Sequence, residues 1–236
     1  MQTTLGQYNE VQATQAFTLQ NSKLLKVSLQ QVTIQAKLGS MVAYQGDVRF
    51  EHAGSGGIGR MLKKAVTGEG TQLMKMSGTG EVFVADTAQD IHLIYLEQDM
   101  ITVNGPNLLA FDAGIEWDIR RIQGGMAAAA AGGLYNLALQ GTGWVAVLSD
   151  GPPVLLNVAQ APTFADPQAA ITWSSGVSVA PKVDANLKSF IGRGSGETFQ
   201  LAFSGQGWVL VQPSEGRIVG APATSGGGGL SNLLNG

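Results

Sequence analysis

One short pattern constrains what this chain can fold into more than any other, because it occurs three times at nearly constant spacing. Met76-Ser-Gly-Thr-Gly-Glu-Val-Phe-Val84 returns as Leu139-Gln-Gly-Thr-Gly-Trp-Val-Ala-Val147 and as Phe203-Ser-Gly-Gln-Gly-Trp-Val-Leu-Val211. Gly78 to Gly141 is 141 − 78 = 63 residues, and Gly141 to Gly205 is 205 − 141 = 64. Such a period predicts one supersecondary unit used repeatedly, with no copy able to bury its apolar face alone. A second landmark keeps step. Met41-Val-Ala-Tyr44 is answered by Leu108-Leu-Ala-Phe111 and Ala170-Ile-Thr-Trp173, each closed by an aromatic, with 111 − 44 = 67 and 173 − 111 = 62.

Between these landmarks the apolar residues alternate. Leu25, Val27 and Leu29 fall on one face, and Val32, Ile34, Ala36 and Leu38 form a second run. Period two is the mark of half-buried strands. Ile91–Leu96 and Pro153–Val158 repeat the first run, and Arg217–Gly220 is a shortened echo of it. Within the signature, Val82, Val145 and Val209 share a face with Val84, Val147 and Val211. The glycines then sit mid-strand, where they mark a bend or a close backbone approach. A repeated ligand notch is the competing reading. The variable residue after the second glycine (Glu81, Trp144 or Trp208) favours the structural corner.

The expected architecture is all-β, with three internal repeats at about 17–85, 86–148 and 149–222 packed around one core. They form a single domain, residues 1–222, followed by a flexible Gly-rich tail, 223–236. Each repeat carries an insertion before its glycine signature. In the first, Ile58, Met61, Leu62, Ala65 and Val66 make one apolar stripe of a short helix, with Arg60, Lys63 and Lys64 off it. The second is the alanine run of Gly124–Gly133, a strong helix former, and the third lies around Asn186–Gly192.

Composition narrows the function classes. Charged residues are 13% of the chain and glycines number 33, which suits a turn-rich β protein and argues against disorder. A net charge of −3 leaves no general basic face, so no nucleic acid partner is expected. With no cysteine there is no disulfide framework and no thiolate site. The polar first ten residues do not read as a secretory signal, and no run of apolar residues is long enough to span a bilayer. The expected location is cytoplasmic.

The stretch Gly56-Gly-Ile-Gly-Arg-Met-Leu-Lys-Lys-Ala-Val-Thr-Gly-Glu-Gly70, followed by Ser77-Gly-Thr-Gly-Glu-Val-Phe-Val-Ala85, resembles the altered-inheritance-of-mitochondria, or mitochondrial biogenesis, family. Gly141-Thr-Gly-Trp-Val145 and Ser178-Val-Ala-Pro-Lys-Val-Asp184 sit where that family has comparable segments. The resemblance implies a fold like that of the tryptophan RNA-binding attenuation protein, a β-sandwich or double-stranded β-helix-like arrangement about a pseudo-threefold axis. It carries no catalytic residues to transfer, and fold alone does not license RNA binding.

The search for chemistry returns little. His52 and His92, with Glu51, Glu97 or Asp99, lack metal-ligand spacing and read as strand histidines. Gly192-Arg-Gly-Ser-Gly-Glu197 lacks the strand-turn-helix setting of a nucleophile elbow. Gly54–Gly59 does not end in the Gly-Lys-Ser/Thr of a phosphate loop. Asp112, Glu116 and Asp118 flank Ile115, Trp117 and Ile119 in period two, so Glu116 and Asp118 read as a solvated strand face. No catalytic residue, metal or cofactor is expected.

The best candidate surface is therefore Ile58, Arg60, Met61, Leu62, Lys63 and Lys64, a basic amphipathic insertion suited to an anionic membrane or a partner's groove. Its competing role is to cover an open end of the core. The expected function is a non-enzymatic interaction or scaffold protein, self-associating or working at a membrane surface. A small-ligand module with a pocket between repeats is the alternative.

Overall fold

A computed structural model of the chain describes residues 3–13, 15–52, 72–121, 135–183 and 199–214. The three insertions expected to be helical and the tail 223–236 lie outside them, so no repeat insertion is described. Among the described residues the protein is all-β, with fourteen strands and two short 3-10 turns, Leu5–Tyr8 and Gly105–Asn107. The first segment holds β1 (Phe17–Asn21), β2 (Leu24–Lys37), β3 (Met41–His52) and β4 (Leu73–Val84). The second holds β5 (Asp90–Asn104), β6 (Leu108–Asp112), β7 (Glu116–Arg121) and β8 (Tyr135–Ser149). The third holds β9 (Val154–Asn157), β10 (Thr163–Ala165), β11 (Ala170–Ser174), β12 (Val177–Val183), β13 (Phe199–Gly205) and β14 (Trp208–Val211).

In the first segment β4, which carries the glycine signature, lies antiparallel between β2 and β3. In the second, β8 lies between β5 on one side and β6 and β7 on the other. In the third, β14 lies between β9 and β11, and β13 lies between β10 and β12. Two ladders join the segments. β6 pairs with the far half of β2, placing Ile34, Gln35 and Ala36 opposite Asp112, Phe111 and Ala110. β11 pairs in the same sense with the far half of β5, placing Ile101, Thr102 and Val103 opposite Ser174, Trp173 and Thr172. The result is a sheet of eleven strands and a second of three.

Alternation explains the strands, and its interruptions explain their bends. Leu25, Val27 and Leu29 are buried at odd positions of β2, Ile34 and Ala36 at even ones. The ladder shifts between Gln30 and Thr33, and Gln31 takes a positive φ of 60°, so a bulge switches the buried face. β5 does the same between Leu96 and Asp99, with Gln98 at φ 54°. This corrects part of the sequence pattern. Val32 and Leu38 share the parity of Ile34 and Ala36 but are exposed, because Val32 lies in the bulge and Leu38 lies beyond the end of the strand.

The glycine signature is a corner. Gly78 and Gly80 have φ of +121° and +154°, which side-chain-bearing residues rarely adopt. A Cβ on Gly80 would overlap the Gln45 carbonyl oxygen, and one on Gly78 that of Asp47, so the backbones of β3 and β4 are in direct contact. At the second glycine of the other two signatures, Gly143 and Gly207, a side chain fills the corresponding place. Asp112 Oδ2 accepts a 2.6 Å hydrogen bond from the Trp144 backbone N–H, and Ser174 Oγ accepts one of 3.1 Å from Trp208. The apolar interior forms three clusters, the first shared between the first and second segments and the others centred on the second and the third, in which Val82, Val145 and Val209 are each fully buried. Burial of each such side chain contributes about 1.5–3 kcal/mol.

Candidate functional site

Tyr44, Phe111 and Trp173 occupy one structural position, opposite Val82, Val145 and Val209 respectively. Their surroundings differ sharply. Phe111 is 0% exposed and Trp173 4%, while Tyr44 is 49% exposed. The cause is the neighbour. β6 lies between β2 and β8, and β11 between β5 and β14, whereas among the described residues β3 pairs with β4 alone and forms one edge of the large sheet. Met41 and Val42 are open with Tyr44, at 38% and 61%. The Tyr44 ring meets the Phe50 ring edge-on at 5.2 Å, which holds the aromatic without covering it.

An exposed apolar edge is a template for strand addition, and proteins usually blunt such edges with proline, lysine or a bulge; β3 has the last of these, a register shift against β4 between Met41 and Ala43. β3 has neither proline nor lysine over Met41–His52. Its second half is polar, with Asp47, Arg49 and Glu51 alternating, so the apolar opening is confined to Met41–Tyr44. The opposite edge of the large sheet is β9, where Leu155 is exposed, and β10 pairs with β13 alone among the described residues. Phe164 at the centre of β10 is 44% exposed, with the Lys182 ammonium 3.9 Å from its ring centroid.

The N-terminal arm braces the first segment from one face. Lys26 is almost completely buried on β2, bridged to Glu81 at 2.7 Å and to Glu10 at 3.1 Å, and it donates to the Val11 carbonyl at 3.0 Å. Burial pushes its ammonium down, but the bonds to Glu81 and Glu10 outweigh that and hold the group above its usual value. Glu10 also accepts from Gln45 on β3, and the Lys26 contact leads in lowering its carboxyl. The arm thus ties β2, β4 and β3 together and leaves the outer edge of β3 open.

Beyond the Lys26–Glu10 pair, the titratable groups with a perturbed setting among the described residues stand apart from one another. His92 Nε2 lies 2.7 Å from Ser149 Oγ, but that hydroxyl spends its one hydrogen on the Gly151 carbonyl at 2.7 Å. The imidazole must therefore donate to the serine, the reverse of what a nucleophile's base does. Burial holds His92 below its ordinary value, against the pull of Asp90. Burial raises Asp112, against the bond from Trp144. Glu116 and Asp118 lie at exposed positions of β7, apart from Asp112. No group of three metal-ligating side chains converges among the described residues. An open depression of 200 Å³ beside Ala16, Ser28 and Val32 is smaller than the about 300–1,000 Å³ usual for small-molecule sites.

The basic insertion Ile58, Arg60, Met61, Leu62, Lys63 and Lys64 lies outside the described residues, as do Gly54–Gly59 and Gly192–Glu197. Sequence reasoning missed the β3 edge. Its available signal is the polar run after Tyr44, Gln45-Gly-Asp-Val-Arg49, where Phe111 and Trp173 are followed by short turns into further strands.

A sequence model of the family described as mitochondrial biogenesis AIM24 matches residues 17–214, from the first residue of β1 to just beyond β14. The fold is similar to an X-ray structure of a protein from Streptococcus pyogenes, with a TM-score of 0.67 and 20% identity over 84% of this chain and 92% of that one. No curated protein matched the chain. No helix among the described residues is long and apolar enough to cross a membrane.

Proposed function

The chain belongs to the mitochondrial biogenesis AIM24 family, and from that premise we propose that it is a non-enzymatic interaction protein that works by strand addition at the β3 edge. One observation carries the reading: Met41–Tyr44 is exposed where the equivalent residues of β6 and β11 are buried under a neighbouring strand. Main-chain hydrogen bonds would supply affinity and the Val42 and Tyr44 side chains selectivity. In this reading the three segments are repeats set about a pseudo-threefold axis, as in the tryptophan RNA-binding attenuation protein. Two of the three ladders between segments are made, and the third, between the last segment and the first, is left open among the described residues. The matching strand pairings support the reading.

A photoreactive phenylalanine analogue at Tyr44 tests the edge directly in cells producing the protein. A covalent adduct that disappears when Val42→Lys is added supports the reading. Absence of any adduct, with the same probe cross-linking efficiently at a positive-control site, contradicts it. The basic stretch Arg60, Lys63 and Lys64 remains part of the proposal as a membrane or partner contact. Liposome flotation that is unchanged when all three are converted to Glu removes the membrane version.

A further inference from the structure

The ladders that join the segments follow one rule, and the rule leaves two half-sites unused. The aromatic-ended strand of the second segment, β6, pairs with the far half of β2. That of the third, β11, pairs with the far half of β5. Both ladders are antiparallel, and both set the aromatic opposite the middle residue of the receiving triplet: Phe111 opposite Gln35, Trp173 opposite Thr102. The aromatic-ended strand of the first segment is Met41–Tyr44, and among the described residues it receives no such partner. The receiving triplet of the third segment can be identified from the central strands. Ile34 lies opposite Met76, Ile101 opposite Leu139, and Thr163 opposite Phe203, three equivalent positions of the signature strand. The triplet is therefore Thr163-Phe164-Ala165, which is β10, and its outer side is also unpaired among the described residues.

We propose that β3 of one chain pairs antiparallel with β10 of a second copy of this chain, with Tyr44 directly opposite Phe164. The register follows from the rule and places Gln45 opposite Thr163 and Ala43 opposite Ala165. It brings together the two exposed aromatics of the two free edges, 49% and 44% accessible in the single chain. Directly opposed aromatic pairs are among the more favourable cross-strand contacts. Pairing within one chain would carry no cost of bringing two molecules together. Even so, among the described residues the single chain leaves β3 on β4 alone and β10 on β13 alone. A second copy supplies both missing edges, and reciprocal pairing between two copies uses each edge once and leaves none to propagate.

This inference rests on the proposed role of the β3 edge and goes further by naming its occupant. The chain has no cysteine, so single thiols report without background. Directly opposed antiparallel residues lie within disulfide reach, with Cα atoms about 4.5–5.5 Å apart. Tyr44→Cys and Phe164→Cys chains are mixed under mild oxidation, after circular dichroism and the unfolding midpoint show each to be folded. The expected result is a mixed disulfide dimer formed at least severalfold faster than either variant links to itself, and suppressed by Ala43→Pro. Three outcomes overturn the inference: no preference for the mixed product, parent-like linking in the proline variant, or a Tyr44→Cys/Phe164→Cys chain that closes its disulfide inside a monomer. An adduct from the photoreactive Tyr44 chain that contains a different protein, alongside no mixed disulfide, sinks this inference while the proposed role of the edge stands.

Discussion

Met41–Tyr44 and Leu108–Phe111 have the same place in their segments and nearly the same apolar character, yet one is open and the other closed. Both lie against the valine-rich half of a signature strand, β4 or β8. The difference is a third strand. β6 has β2 on its outer side at Ala110–Asp112, and its two faces pack into the clusters that hold Leu109 with Ala110 and Leu108 with Phe111, all four at 0% exposure. β3 has no described strand there, and three of its first four residues are exposed large hydrophobics. Burial of such a segment is a property of the neighbour as much as of the segment. An apolar strand left without that neighbour identifies where the molecule is unfinished.

Cutting the aromatic side chains breaks the comparison most severely. Phe111→Ala opens a cavity in a closed site and is expected to cost about 3–5 kcal/mol in chemical denaturation. Tyr44→Ala is expected to change the same measurement by less than about 1 kcal/mol in dilute solution, because its ring is half in water. Equal losses would mean that Tyr44 is covered after all. The corners sharpen the contrast at a smaller scale. Gly80→Ala forces a methyl into the β3 backbone and is expected to cost about 2–4 kcal/mol. Gly141→Ala meets its nearest atom, Ile115 Cα, only at 3.6 Å, so strain of the positive φ alone costs about 1–2 kcal/mol.

The smallest effects come from titratable groups on the covered side. His92 is held below its ordinary 6.5, so above that pH both folded and unfolded chains keep it neutral and its contribution is complete. As pH falls through the folded value, that stability is lost, and His92→Gln should flatten the acid limb of the stability profile. Asp112 runs the other way. Its folded value is raised, so its contribution is intact below the ordinary 3.8 and is lost as pH rises through the folded value. Asp112→Asn keeps an acceptor for the Trp144 N–H and is expected to unfold at slightly higher denaturant at neutral pH, the advantage shrinking in acid. A variant less stable at neutral pH would show that the charge on Asp112 contributes more through the Trp144 bond than burial costs.

The strands and corners were legible because their causes are local. Alternation places Val82, Val145 and Val209 inside, and mid-strand glycines announce the bends. The bulges were legible only as changes of parity, since Gln31 and Gln98 take positive φ without being glycine. Phe17 stands between the polar N-terminal residues and the alternating run from Leu25, and β1 pairs with β2 and buries it completely. The Lys26 clamp joins residues 10, 26 and 81, a coincidence in space that no spacing in the sequence encodes. The β3 edge was legible only through the polar run after Tyr44, for a related reason. Met41–Tyr44 reads like its buried counterparts, and what distinguishes it is a strand that is not beside it.

Hydrogen exchange across a concentration series tests this directly, by following the amides of Met41–Tyr44 against those of Leu108–Phe111. The account predicts that the β3 amides facing away from β4 exchange quickly in dilute solution and become protected as concentration rises, while the β6 segment stays protected throughout. Protection of Met41–Tyr44 equal to that of Leu108–Phe111 at the lowest concentration would contradict it, because the edge would then already be closed within one chain.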